Sequence, residues 1–245
     1  MFILSYNLTM ARVLAGCQQV LELGMSKSYP TILFSEMTPP PGREDVFNRW
    51  YNEAHIPARM KAPGFIGAQR YRDGATANYL AVYEMSAPGA LTTPEYNEIK
   101  SRPNALTKEM LATVSNFTRY LATELSAAPD DVAVFEDAPV LYAVFFTVPE
   151  DRLGAFDTWY QDELIELLRE DPRWLGVRRF NIFDGAPHPF NRLALHYLAE
   201  RDVLKSAARQ RARNAPLRSA LANEAWFKAH SAIFNKIGAR FHAGT

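Results

Sequence analysis

Among the side chains able to move a proton near neutral pH, His55 stands out by its setting. It lies four residues after Tyr51, in a stretch where Phe47, Trp50, Tyr51 and Ala54 recur at helical spacing. Residues four apart share a helix face, so the imidazole and the phenol can point into one cavity. Histidine titrates near neutrality and can accept and return a proton. Pro57 supplies no N–H to the Glu53 carbonyl and disfavours helical geometry at Ile56, which predicts that the helix ends or kinks beside His55. On a purely structural reading His55 only caps that end. Glu53, two residues away, points to another face. Arg59 follows the break, where it could bind a carboxylate or an enolate oxygen.

Other chemistries find little support. There is no G-x-G-x-x-G, no phosphate-binding loop and no G-x-S-x-G elbow. The five histidines, His55, His188, His196, His230 and His242, show no metal-ligand spacing, so no metal is expected. Haem through a single axial histidine stays open. His230 closes Trp226–His230, which reads as an amphipathic core helix, and the arginine-rich stretch Arg209–Arg218 reads as a solvated helix face. The lone Cys17 excludes an intramolecular disulfide framework and a multi-cysteine metal site, and suits a reducing, cytoplasmic setting. Lys plus Arg and Asp plus Glu balance at 27 each, which favours neither nucleic acid nor an anionic membrane. No apolar run approaches the roughly 20 residues of a membrane span. Leu14-Ala15-Gly16-Cys17 looks like a lipoprotein cleavage site, but no basic residue follows Met1, and Asn7 and Arg12 interrupt the apolar stretch. Residues 1–29 are therefore read as an N-terminal extension, disordered or a mis-set start, with Met25 ahead of the first strand.

The elements that must position these residues occur twice. Phe47-Asn48-Arg49-Trp50-Tyr51 recurs as Phe156-Asp157-Thr158-Trp159-Tyr160 at an offset of 109. At that offset Pro63, Gly67 and Arg70 meet Pro172, Gly176 and Arg179. Beyond a four-residue insertion in the Asp184–Asn191 turn the offset becomes 113, and Tyr79–Tyr83 meets Arg192–His196. Each copy reads strand, helix, strand, strand, helix, strand: a βαββαβ, ferredoxin-like unit. Residues 30–125 form the first unit, 126–139 a linker, and 140–245 a second, diverged unit. A sheet with helices on one face needs its other face covered, so the two units are expected to pack sheet to sheet rather than stand apart. By strand parity Tyr79, Ala81 and Tyr83 share a face, and His196 takes the place of Tyr83. Tyr83, His196 and Arg70 are candidate pocket residues. Trp50, kept as Trp159, is more a frame residue, with a substrate-facing role as the alternative.

The run Trp50-Tyr51-Asn52-Glu53-Ala54-His55-Ile56-Pro57, followed by Ala62-Pro63-Gly64-Phe65 and Arg70-Tyr71, resembles the W-Y-x-x-x-H-(I/L)-P signature of EthD-like proteins. These belong to the dimeric α/β-barrel superfamily. The second copy departs from the signature: Leu164, Glu166 and Arg173 stand where the first has His55, Pro57 and Gly64. The resemblance implies an α+β fold, an intramolecular dimeric α/β barrel. It also implies a family of cofactor-independent lyases and isomerases, quinone-forming monooxygenases and haem-binding branches. The reading that follows is a lyase or isomerase without cofactor, acting on a small aromatic or apolar carbonyl compound. His55 would be the general acid/base, Tyr51 and an arginine would hold the enolate oxygen, and the working pocket would lie in the first half. The alternatives are a haem-dependent or cofactor-free monooxygenase and a non-catalytic ligand-binding protein. The expected partner is a small molecule, not nucleic acid or membrane, and exposed strand edges leave room for a homodimer.

Overall fold

A computed structural model describes residues 30–244, and the expectations about residues 1–29 lie outside them. The first unit opens with β1 (Thr31–Met37), whose near-continuous apolar run is buried on both faces. Next comes α1 (Glu44–Trp50), which passes through a wide π-helical turn at Tyr51–His55 into α2 (Ile56–Met60). Strands β2 (Phe65–Asp73) and β3 (Tyr79–Met85), helices α3 (Pro94–Ser101) and α4 (Ala105–Thr113), and β4 (Arg119–Ala128) complete it. The second unit repeats this order. It runs β5 (Val140–Phe146), a helix at Leu153–Thr158, a π-helical turn at Trp159–Ile165, and a helix at Glu166–Arg169. Strands β6 (Trp174–Ala186) and β7 (Arg192–Leu198) follow, then two helices at Ala207–Arg213 and Pro216–Leu221, and β8 (His230–His242).

The eight strands close into one antiparallel barrel in the order β1-β3-β2-β8-β5-β7-β6-β4. Closure depends on the last strand of each unit. β4 pairs with its own β1 and with β6, and β8 pairs with β5 and with β2. Each unit thus covers the sheet edges of the other, which removes the exposed edges that would invite pairing between chains. The barrel interior is one apolar core fed by both units: Phe34 meets Phe145 edge to face at 5.2 Å. Strand alternation sends Leu33, Tyr79, Ala81 and Tyr83 outwards to the first unit's helices, and Ala194 and Leu198 to the second unit's. One buried ion-pair network ties the units together: Glu84 of β3 meets Arg178 of β6 and Arg240 of β8, and Arg178 also meets Glu124. Burial alone would raise the Glu84 carboxyl, but the two arginines outweigh it and hold its pKa below the usual value.

Two expectations are corrected. The first helix does not end at His55. The Ile56 amide reaches the Tyr51 carbonyl, one residue further back than in an α-helix, and the chain runs on to Met60. Pro57 falls in the first turn of α2, where its missing N–H costs little. The second unit makes the same wide turn with Glu166 at the proline's position, so the proline is accommodated by the turn and does not cause it. The connection 126–139, read as a linker, holds the end of β4 and a short helix, Val132–Asp137. The segment Trp226–His230 is not helical but leads into β8, with His230 exposed.

The turn before β2 depends on Gly64. Its φ is +87°, and a Cβ there would sit 2.7 Å from the Ala90 Cβ. Gly64→Ala should cost about 1–3 kcal/mol from backbone strain alone, read as a fall of several degrees in Tm. An unchanged Tm would show that the turn relaxes freely.

Candidate functional site

The first unit packs its motif residues into a closed core. His55 is 5% exposed, stacks 4.2 Å from Trp50 and 4.8 Å from Tyr51, and leaves its Nδ1 without a hydrogen-bond partner. Burial first, then the positive charges of Arg59 and Arg70, hold its pKa well below the usual histidine value. Arg59 donates to the His55 carbonyl at 2.9 Å and lies over the Tyr83 ring. The Tyr83 hydroxyl is buried without a hydrogen-bond partner. Trp50 is fully buried and donates to Thr107 Oγ1 at 3.0 Å, as a frame residue would. Arg70 bridges β2 to the helix through Asn48 and Asn52, both at 2.7 Å, and stacks over Tyr51 at 4.6 Å. Its counterpart Arg179 makes the same bridge to Asp157 and Gln161. A clamp made twice, with partners at corresponding positions, is a device of the frame.

The same place in the second unit is open. A cavity of about 200 Å³ lies between the sheet and the helices, walled by Tyr142, Phe146, Trp159, Trp174 and Phe227. It is smaller than the roughly 300–1,000 Å³ of pockets for drug-sized ligands, and suits a molecule of one or two rings. The opening traces to one smaller residue and two changes of side-chain shape. Ala212 stands where the first unit has Ile99, and Leu164 takes the place of His55. At the same offset of 113, Arg209 replaces Tyr96, which packs on Phe65 at 5.4 Å in the first unit. The histidine contrast pointed to the first unit as the one with the pocket, whereas the aromatic-walled cavity belongs to the second.

Its polar floor is a directed chain. Trp174 Nε1 donates to His196 Nδ1 at 3.2 Å, and His196 Nε2 lies 2.7 Å from the Tyr160 hydroxyl. Indole nitrogen can only donate, so Nδ1 is unprotonated and a neutral His196 carries its proton on Nε2. That proton goes to the phenol oxygen, which leaves the Tyr160 O–H to donate to an occupant of the cavity. Burial, followed by the positive charge of Arg209, lowers the His196 pKa to about 3, so the ring stays neutral. Burial pushes the Tyr160 hydroxyl above its usual value, so it remains a protonated donor. Both ring nitrogens of His196 are engaged, and no lone pair is left for a haem iron. The histidine in this cavity therefore does not fit an axial ligand. Among the described residues no group of three His, Cys, Asp or Glu is placed to hold a metal ion.

Arg209, Arg213 and Arg218 also line the cavity, so this stretch, read as a solvated helix face, forms part of the cavity rim while Arg211 and Arg213 stay exposed. Trp174, Arg209, Arg213 and Arg218 were not singled out from the sequence, and Tyr160 entered only as a packing match to Tyr51. The signal was available in the register at offset 113, where Tyr96 and Ile99 become Arg209 and Ala212.

No protein-family profile matches this chain, and no curated relative does. Solved structures do. An anthrone oxidase-like protein superposes with a TM-score of 0.60 at 12% identity, over 90% of this chain and 95% of that one. A putative monooxygenase from Fusobacterium nucleatum subsp. nucleatum gives 0.57 at 12% identity, over 89% and 97%. A putative chlorite dismutase gives 0.52 at 12% identity, over 85% and 95%. The fold is thus a dimeric α/β barrel, made here by tandem ferredoxin-like units in one chain. At such identities the likeness concerns architecture. No helix among the described residues is long and apolar enough to cross a membrane.

Proposed function

We propose that this protein is a cofactor-independent enzyme that binds a small aromatic carbonyl or phenolic compound in the second unit's cavity and stabilises negative charge developing on its oxygen. The observation that carries this reading is the Trp174–His196–Tyr160 chain, which presents a neutral O–H donor at the floor of an aromatic-walled cavity. A fixed donor in a water-poor site needs no reorganisation when an enolate or phenolate forms, and this differential stabilisation is what lowers a barrier. His196 orients Tyr160 and does not itself take the proton, since its basicity is too low.

No carboxylate lines the cavity. That favours substrates acidic enough to ionise without a strong protein base. Such compounds can isomerise, lose a leaving group or react with oxygen. The anthrone oxidase-like and putative monooxygenase neighbours agree with the last course, and oxygen uptake during turnover separates it from a lyase or isomerase.

A second reading keeps the EthD-like motif and puts chemistry at His55. It is favoured by the unpaired His55 Nδ1 and Tyr83 hydroxyl, two buried polar atoms that a small polar occupant would satisfy. The two readings part on one variant. Ala212→Ile, which installs the residue the first unit uses, should fill the second cavity and weaken binding of aromatic ligands at least tenfold, with Tm unchanged or raised. Binding is read by quenching of Trp159 and Trp174 fluorescence. Undiminished binding in Ala212→Ile would move the site to the first unit.

A further inference from the structure

We infer that the cavity selects ligands carrying a permanent anionic group, a carboxylate or sulfonate, held at its mouth by Arg209, Arg213 and Arg218 while the apolar body reaches the Tyr160 floor. This rests on the cavity being the ligand site and adds the chemical class of its ligand. Three arginines among the lining residues, with no acid to balance them, give the site a cationic rim. Neighbouring acids do not neutralise it. Of the four arginines in the stretch Arg209–Arg218, only Arg211 is ion-paired among the described residues, and its partner Glu170 lies outside the lining. Glu163, the acid that reaches this region, spends both carboxylate oxygens on the backbone N–H groups of Leu217 and Arg218, at 2.9 Å each.

Two of the three guanidiniums, those of Arg209 and Arg218, are held but not used up. Arg209 gives one N–H to the Leu204 carbonyl and lies 5.8 Å over the Tyr142 ring. Arg218 gives one to the Arg213 carbonyl and lies 5.8 Å over the Phe227 ring. Each fork has five N–H donors, so most remain for an anion, and the aromatic supports fix their direction. Anion-to-guanidinium bonds can be bidentate, which sets the orientation of a ligand as well as its affinity. The first unit offers a contrast: at the positions of Arg209 and Arg213 it has Tyr96 and Lys100, and Lys100 sits over the Tyr96 ring. A cationic rim therefore accompanies the open cavity and not its closed counterpart.

The test is a matched pair of probes, 2-naphthoate and 2-naphthamide, titrated into the native protein and followed by tryptophan fluorescence. The acid should bind at least tenfold tighter, with an affinity that falls with added salt, while the amide is insensitive to salt. The triple variant R209Q/R213Q/R218Q should bring the acid to the amide's affinity and leave the amide unchanged. Should the triple variant fail to fold, R213Q, at an exposed position, should weaken the acid alone. Equal affinity for acid and amide in the native protein, or a salt-independent acid, overturns the inference and leaves the cavity reading standing. Binding of neither probe at millimolar concentration overturns both.

Discussion

Tyr160→Phe should lower kcat by about 10²–10³-fold on any aromatic carbonyl or phenolic compound the protein turns over, the cost typical of losing one donor to a developing oxyanion. KM should change little, because the ring stays and only the hydroxyl is lost. The fold should survive the change at a cost of about 1–3 kcal/mol: Tyr160 and Phe have the same shape and His196 keeps its bond from Trp174 Nε1, but its Nε2–H loses its acceptor. His55→Ala in the same assay should behave the other way. It removes a buried ring packed against Trp50 and Tyr51, so Tm should fall while kcat stays within a few-fold of native. If His55→Ala abolishes turnover and Tyr160→Phe does not, the active centre is in the first unit and the proposed function is wrong as sited.

The architecture was readable because the duplication writes it twice. Two aromatic pairs in one register, and strands whose parity agrees in both copies, leave few arrangements other than two ferredoxin-like units covering each other. The exchange of β4 and β8 between sheets was not readable. It depends on strand length beyond the apolar run: β4 continues through Ser126 to Ala128, residues whose polarity and small size look like a linker. The π-helical turn was hidden for a similar reason. Pro57 signals a break by local rules, while the helical hydrogen bonds step past it by one residue.

The candidate site divides in the same way. Tyr160 and His196 were visible as residues, one as a repeat of Tyr51 and one as the polar ring replacing Tyr83. What could not be seen was which unit would be hollow. A histidine kept in one copy and lost in the other suggested chemistry where it was kept. Yet cavities are made by volume left out, and the decisive change is Ala212 for Ile99 on a helix whose arginines looked like ordinary surface. The polar residue that the first unit retains helps to fill its core; the apolar one that replaced it lines an opening. In a duplicated fold the contrast between copies therefore has to be read in side-chain volume as well as in polarity.

The buried histidines also set how this protein responds to acid. His196 has a pKa of about 3 in the folded chain, against about 6.5 when unfolded. Between those values the unfolded chain binds a proton that the folded chain refuses, so stability is complete above pH 6.5 and is lost as pH falls towards 3. The whole window corresponds to roughly 5 kcal/mol at 1.36 kcal/mol per unit, comparable with the lower end of the 5–15 kcal/mol typical of a domain. His55, also buried with a lowered pKa, works in the same direction. Glu84 adds to it, since a carboxyl held below its usual value loses its stabilising effect as pH drops through its folded pKa. Urea unfolding should accordingly show a midpoint at pH 4.5 well below that at pH 7. His196→Gln isolates the largest contribution: its carbonyl can accept from Trp174, its amide can donate to Tyr160, and it does not titrate. The variant should be somewhat less stable at pH 7 and lose about 2 kcal/mol less than the native chain on going to pH 4.5. If native and variant midpoints fall in parallel, His196 is already solvated in the folded state, and a hydrogen-bond chain that fixes Tyr160 cannot be what lines the cavity floor.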